Sequence, residues 1–317
     1  MCYIWKQYSF YGMYSRVMNS QKTKFIILYL SVITLSFAET PSYQLLTYSF
    51  SNRAAAMGGA RASDPSGNMD IQGNPAGTSF IKSTQLQAGL VNHLVGIKGY
   101  SAGIVVPIER HRLSFESIYF DYGLFDKTDV RGLTSGTFGF HELSSALGYA
   151  FKFSPAIRLG TRVGRFQRTA DQISQTDFYY DLGAVYHKEE DSLTVGVYLA
   201  SAALGESEEA FPTEVRVGSS KILSHLPLRL NLEGIYAFDD QIRFAVGAEI
   251  LVHPNFTVRL GMNSNRFDLQ TGISESDFIA GASGGFALNL RGMLIESATQ
   301  SFGAAGWVSQ MSISYHL

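Results

Sequence analysis

Between Gln241 and Val252 apolar and polar positions alternate: Ile242, Phe244, Val246, Ala248 and Ile250 share one face, and Arg243, Ala245, Gly247 and Glu249 share the other. The same alternation sets Leu228, Leu230 and Leu232 against Arg229, Asn231 and Glu233, and Ile157, Leu159, Thr161 and Val163 against Arg158, Gly160, Arg162 and Gly164. It also sets Phe256, Val258, Leu260 and Met262 against Thr257, Arg259, Gly261 and Asn263. Each segment predicts a strand with one apolar face and one face of charge or glycine. Repeated from Gln85 to His316, the pattern predicts about fourteen strands, an even number as a closed single-chain bacterial barrel requires. Phe278 to Leu290 is expected to be one of them, and Trp307 to His316 the last.

An apolar strand face can pack against a second sheet in a soluble sandwich, or face lipid in a barrel whose charges and glycines turn inward. Two features favour lipid. Aromatics cluster near strand ends, at Tyr119-Phe120, Tyr122, Phe138, Phe140, Tyr179-Tyr180, Tyr236, Phe238 and Trp307, where interfacial girdles sit. The chain also closes on an amphipathic strand, with Trp307, Met311, Ile313, Tyr315 and Leu317 opposed to Val308, Gln310, Ser312, Ser314 and His316. The longer connections, Gly123 to Thr137, Thr169 to Thr176, Ala203 to Phe211, Ser264 to Ser276 and Thr299 to Gly306, are assigned to the outer surface. The short turns at Pro107 to His111, His187 to Ser192, Asp239-Asp240 and His253-Pro254 are assigned to the periplasmic side.

Composition agrees with a barrel. Charged residues are 16% of the chain, low against the roughly 25% of soluble domains. Lys22 and Lys24 followed by the apolar run Phe25 to Phe37 predict a secretory signal peptide cleaved after Ala38, with Met1 to Val17 a miscalled start. That apolar run is too short to span a bilayer as a helix, so membrane residence requires a closed barrel. The one cysteine, Cys2, falls in the discarded part, which leaves neither disulfide nor thiol chemistry. A net charge of −2 without a basic stripe argues against nucleic acid as a partner.

One stretch does not alternate. Ala54 to Met57 favour a helical turn ended by Gly58-Gly59, and Asp64-Pro65-Ser66-Gly67 and Asn74-Pro75 are turn sequences. A compact plug ahead of the first strand fits this. The organisation is then signal and miscalled start over 1–38, lead-in and plug over 39–84, and barrel over 85–317. The glycine pair Met57-Gly58-Gly59, the acidic stretch and Asn74-Pro75-Ala76-Gly77 resemble the PorV/PorQ family of outer-membrane barrels, which share the FadL fold. So do Asp121-Tyr122-Gly123, Tyr180-Asp181-Leu182-Gly183, Leu226-Pro227-Leu228-Arg229-Leu230, Val246-Gly247-Ala248-Glu249 and Arg259-Leu260-Gly261 in that order. The resemblance is strongest to the PorQ branch. It implies an all-β, antiparallel transmembrane barrel in the bacterial outer membrane, holding a cell-surface or periplasmic protein in a type IX secretion and attachment complex. Ala203-Leu204-Gly205 and the C-terminal Leu317 depart from the family pattern, and no catalytic or substrate residue transfers.

Candidate chemistry is sparse. The seven histidines stand singly, and no cofactor or metal set is expected. His141, Ser144 and Asp121 are the nearest approach to a hydrolytic set. Glu206, Glu208 and Glu209 form an acidic tip expected to be solvated. Arg158, Arg162, Arg229, Glu233, Arg243, Glu249 and Arg259 are expected to face the lumen and pair with one another, because unpaired charge in a narrow interior is costly. The short, polar outer loops favour a non-enzymatic anchor over the alternative, a FadL-like channel for hydrophobic solutes.

Overall fold

The computed structural model describes residues 43–317 except 130, 208, 239, 240 and 273, so the expected export signal and its cleavage point lie outside the described residues. Its fourteen strands are β1 (Gln85–Asn92), β2 (Lys98–Ile108), β3 (His111–Thr128), β4 (Thr134–Lys152), β5 (Ile157–Ala170), β6 (Ile173–Lys188) and β7 (Leu193–Ala203). They continue as β8 (Glu214–Ile222), β9 (Leu228–Ala237), β10 (Ile242–His253), β11 (Phe256–Asn263), β12 (Ala282–Leu290), β13 (Met293–Ser301) and β14 (Trp307–His316). Each pairs antiparallel with its sequence neighbours, and β1 closes on β14 with Gln85 opposite His316. The sheet has no open edge along the barrel wall, which is how strands satisfy their backbone groups in hydrocarbon.

The alternation becomes an inside and an outside. Leu232, Val246 and Leu260 project outward, half exposed, while Asn231, Glu233, Glu249 and Arg259 between them are buried. On β14, Met311, Ile313 and Tyr315 face out and Gln310, Ser312 and Ser314 face in. Among the described residues no helix is long and apolar enough to cross a membrane, so the strands are the spanning elements.

Five expectations need correction. The connection expected over Thr169 to Thr176 is only the turn Asp171-Gln172, since Thr169 pairs with Ser174 and Ala170 with Ile173. Phe278 does not begin a strand: Ser274–Ile279 is a helix, and β12 starts at Ala282 after Gly281, whose φ of +73° breaks the extended path. The β9–β10 connection lies at the long-loop end, because strand parity places it with the β7–β8 and β11–β12 connections. Most of Gly123 to Thr137 is strand: Leu124 pairs with Gly139 and Thr128 with Thr134, so β3 and β4 continue as a ribbon past the last partners on β2 and β5. The strand-end aromatics also divide. Tyr236 and Trp307 face outward, whereas Phe120 and Tyr179 are buried inside the barrel.

These inward rings pack on the segment ahead of the first strand. Tyr43, Leu45, Leu46 and Phe50 form one apolar cluster with Phe120, Phe166, Tyr179 and Phe211. Tyr43 stacks on Phe211 with ring centroids 4.3 Å apart and meets Phe166 edge-on at 4.8 Å. Offset and edge-to-face pairs of this kind are favourable beyond the area they bury. The core of this protein is therefore the plug inside the cylinder.

Candidate functional site

The plug begins with helix α1 (Gln44–Thr47) and helix α2 (Asn52–Ala56). Ser51 caps α2 by accepting from Ala54 N, and Gly58 and Gly59 end it at φ +69° and +94°. Further on, the Asn74 side chain accepts from Ala76 N at 3.0 Å and opens the 3₁₀ turn Pro75–Phe80. The two motifs singled out in the sequence dock in two glycine sockets on opposite walls. A side chain at Gly247 on β10 or Gly261 on β11 would collide with Met57 and Gly58. One at Gly160 on β5, or at Gly183 on β6, would collide with Asn74, Pro75 or Ala76. The lumen glycines are thus bare wall where backbone meets backbone.

Buried ion pairs fasten the sockets. On one side Arg53 of α2 reaches Asp64 (3.0 Å) and Glu249 (3.1 Å), and Glu249 also takes Arg229 (3.0 Å) and Arg259 (2.9 Å). Arg259 continues to Glu296 at 2.5 Å. On the other side Arg162 reaches Glu116 (2.7 Å) and Asp181 (2.6 Å) and donates to the Gly73 carbonyl at 2.8 Å. Glu233 accepts from the backbone N–H of Arg61 and Ala62 at 2.7 and 2.6 Å and from Arg216 at 2.8 Å. Arg243 pairs with Glu214, and the Arg158 guanidinium lies 3.8 Å over the Phe80 ring.

The seven lumen charges named from the sequence therefore sit on the inner wall, but as partners of the plug as much as of each other. Glu116, Glu142, Arg168, Asp177, Asp181, Glu214, Arg216 and Glu296 join them there, and their own strand alternation could have shown them. Arg53, Arg61 and Asp64 carried no such signal, because the plug has no period. The hydrolytic set does not assemble: Ser144 is buried and shares a hydrogen bond with Tyr179, whereas His141 belongs to the outward face of β4. Glu209 of the acidic tip holds Arg168 at 2.8 Å. Among the described residues no group of histidines, cysteines and carboxylates could hold a metal ion.

Above the plug, at the long-loop end, a cavity of about 390 Å³ opens between the chain ahead of α2, the β1–β2 turn and the ends of β8–β11 and β13. One wall is aromatic, with Tyr48, His93, Phe120, Tyr122 and Phe302; the other carries Arg61, Arg216, Arg243 and Asn263. The His93 ring stands 5.2 Å from Tyr48 and 5.8 Å from Phe120, and burial pulls its pKa below the ordinary histidine value. A cavity of this size falls in the range of small-molecule sites.

No family model and no curated protein matches the chain. Solved structures do. The toluene transporter TbuX of Ralstonia pickettii is 12% identical, with a TM-score of 0.58 over 87% of this chain and 100% of its own. The monoaromatic hydrocarbon channel CymD is 12% identical, with a TM-score of 0.60 over 86% and 98%. A FadL homologue of Pseudomonas aeruginosa is 11% identical, with a TM-score of 0.54 over 86% and 99%. At such identities the likeness is one of fold: this is a FadL-like barrel of fourteen strands.

Proposed function

We propose that this chain is a non-enzymatic port of the bacterial outer membrane that captures hydrophobic solutes at its mouth. The observation that carries this is the aromatic-walled cavity above a fastened plug. Structures of like fold described as toluene transporters and a monoaromatic hydrocarbon channel support the reading. Binding energy comes from burying an apolar solute against rings, and passage then requires the plug to yield locally. The test is uptake of a monoaromatic hydrocarbon by cells with and without the chain. Faster uptake that falls when Phe302 is changed to Asp supports the port, and equal uptake refutes it.

A second reading is the anchor of a type IX attachment complex that the PorV/PorQ resemblance implies. What favours it is the β3–β4 ribbon, which rises past its neighbours and exposes Leu124, Phe125 and Leu133. Deleting the gene should then release surface proteins into the medium, and affinity purification should recover a surface partner. Normal retention of surface proteins would exclude this reading.

A further inference from the structure

Around the mouth cavity the carboxylates hold other partners, while two guanidinium nitrogens of Arg61 have no hydrogen-bond acceptor. Glu214 is shared by Arg216 (2.7 Å) and Arg243. Glu233 holds Arg216 together with the Arg61 and Ala62 backbone. The Arg61 side chain, 3% exposed, lines the cavity with its Nε and Nη1 unpartnered, and Arg243 Nε and Asn263 Oδ1 of the same lining are unpartnered as well. Carboxylates lie within electrostatic reach of this guanidinium, but burying two of its N–H groups without a hydrogen-bond acceptor is costly. A neutral hydrocarbon in the cavity would leave that expense standing, whereas an anion would remove it through charge-assisted hydrogen bonds.

The opposite wall limits what else the anion can carry. Tyr48, His93, Phe120, Tyr122 and Phe302 present ring faces and edges at one side of a cavity of about 390 Å³, and their mutual packing fixes them in place. Flat ligands gain most from such a wall, since rings meet rings at offset or edge contact and lose little freedom.

We propose that the mouth cavity selects compact aromatic monocarboxylates, with the carboxylate on Arg61 and the ring against the Tyr48–Phe120–Tyr122 wall. This rests on the cavity being the solute site and specifies its ligand. The selectivity lies in charge at one end and shape at the other.

Calorimetric titration of the full chain in amphipol with 1-naphthoate, naphthalene and octanoate tests it. Naphthoate is expected to bind at least tenfold more tightly than either of the others. Arg61→Gln is expected to erase the preference over naphthalene while naphthalene binding persists, and Arg61→Lys to keep part of it. Naphthalene binding as tightly as naphthoate in the wild type would overturn the proposal and leave the hydrophobic port standing, whatever the variants do. Octanoate equal to naphthoate would overturn the aromatic selectivity. No binding of any of the three would overturn both readings.

Discussion

Arg53 of the plug helix grips Glu249 of the barrel wall with two parallel hydrogen bonds, Nε to Oε1 and Nη2 to Oε2, both 3.1 Å long. Glu249 is 3% exposed and is shared with Arg229 and Arg259. Removing it leaves Arg229 without its carboxylate and takes one of two from Arg53 and Arg259. Glu249→Ala should cost about 3–5 kcal/mol, the range for breaking a buried pair. Urea unfolding of the refolded chain measures this, and trypsin should then cut at Arg53, which is protected in the wild type.

The glycine sockets make a second prediction. Gly183→Val on β6 puts methyl groups where the Asn74 amide and the Pro75 ring lie. The wall is hydrogen-bonded on both sides, through Leu159–Gly160 of β5 and Tyr198 of β7, and should close as before. The plug should not seat. Planar-bilayer recordings are expected to show open conductance in this variant and little in the wild type.

The outer face should tolerate charge only near its rims. Val246 lies mid-strand on β10, opposite Leu232 and Met262, and is half exposed to the surroundings of the barrel. Val246→Arg should destabilise by about 2–4 kcal/mol, and Ile173→Arg at the long-loop end by about 0–1 kcal/mol. Folding titrations into lipid vesicles decide it. Equal effects would mean that the apolar face is not lipid-facing.

Beyond Asp121 and Gly139, the strand pairing of β3 and β4 is with each other alone. A two-stranded ribbon alone is marginal in water. Amides of 124–128 and 134–137 should exchange with deuterium far faster than those of 141–151 in the same strands. Protection in the detergent-solubilised chain would show that something covers the ribbon.

His93 supplies a pH dependence. Its pKa is lowered by burial among Tyr48, Phe120 and Phe302, so the folded chain gives up this proton more readily than the unfolded one. Between that lowered value and the ordinary one of about 6.5, the unfolded state holds more protons, and stability falls as the pH drops through the window. The contribution is complete above about 6.5. Thermal melting of the wild type should fall more between pH 7.5 and 5 than that of His93→Gln.

Alternation along Arg229 to Glu233 or Arg243 to Glu249 is local, because successive side chains of a strand point to opposite faces. The sequence alone could therefore determine the strands, their near number and which residues share a face. The two motifs of the plug were legible as turn and cap chemistry around Gly58 and Asn74. Their destinations were not: that Gly58 meets Gly261, or Asn74 meets Gly183, depends on contacts far apart in the chain, which have no period to reveal them. For the same reason Phe120 and Tyr179 could pass for girdle residues until Tyr43 and Phe50 were found beside them. The unbonded N–H groups of Arg61 are also a property of the closed cylinder, since only closure decides which donors meet an acceptor and which are left at the mouth.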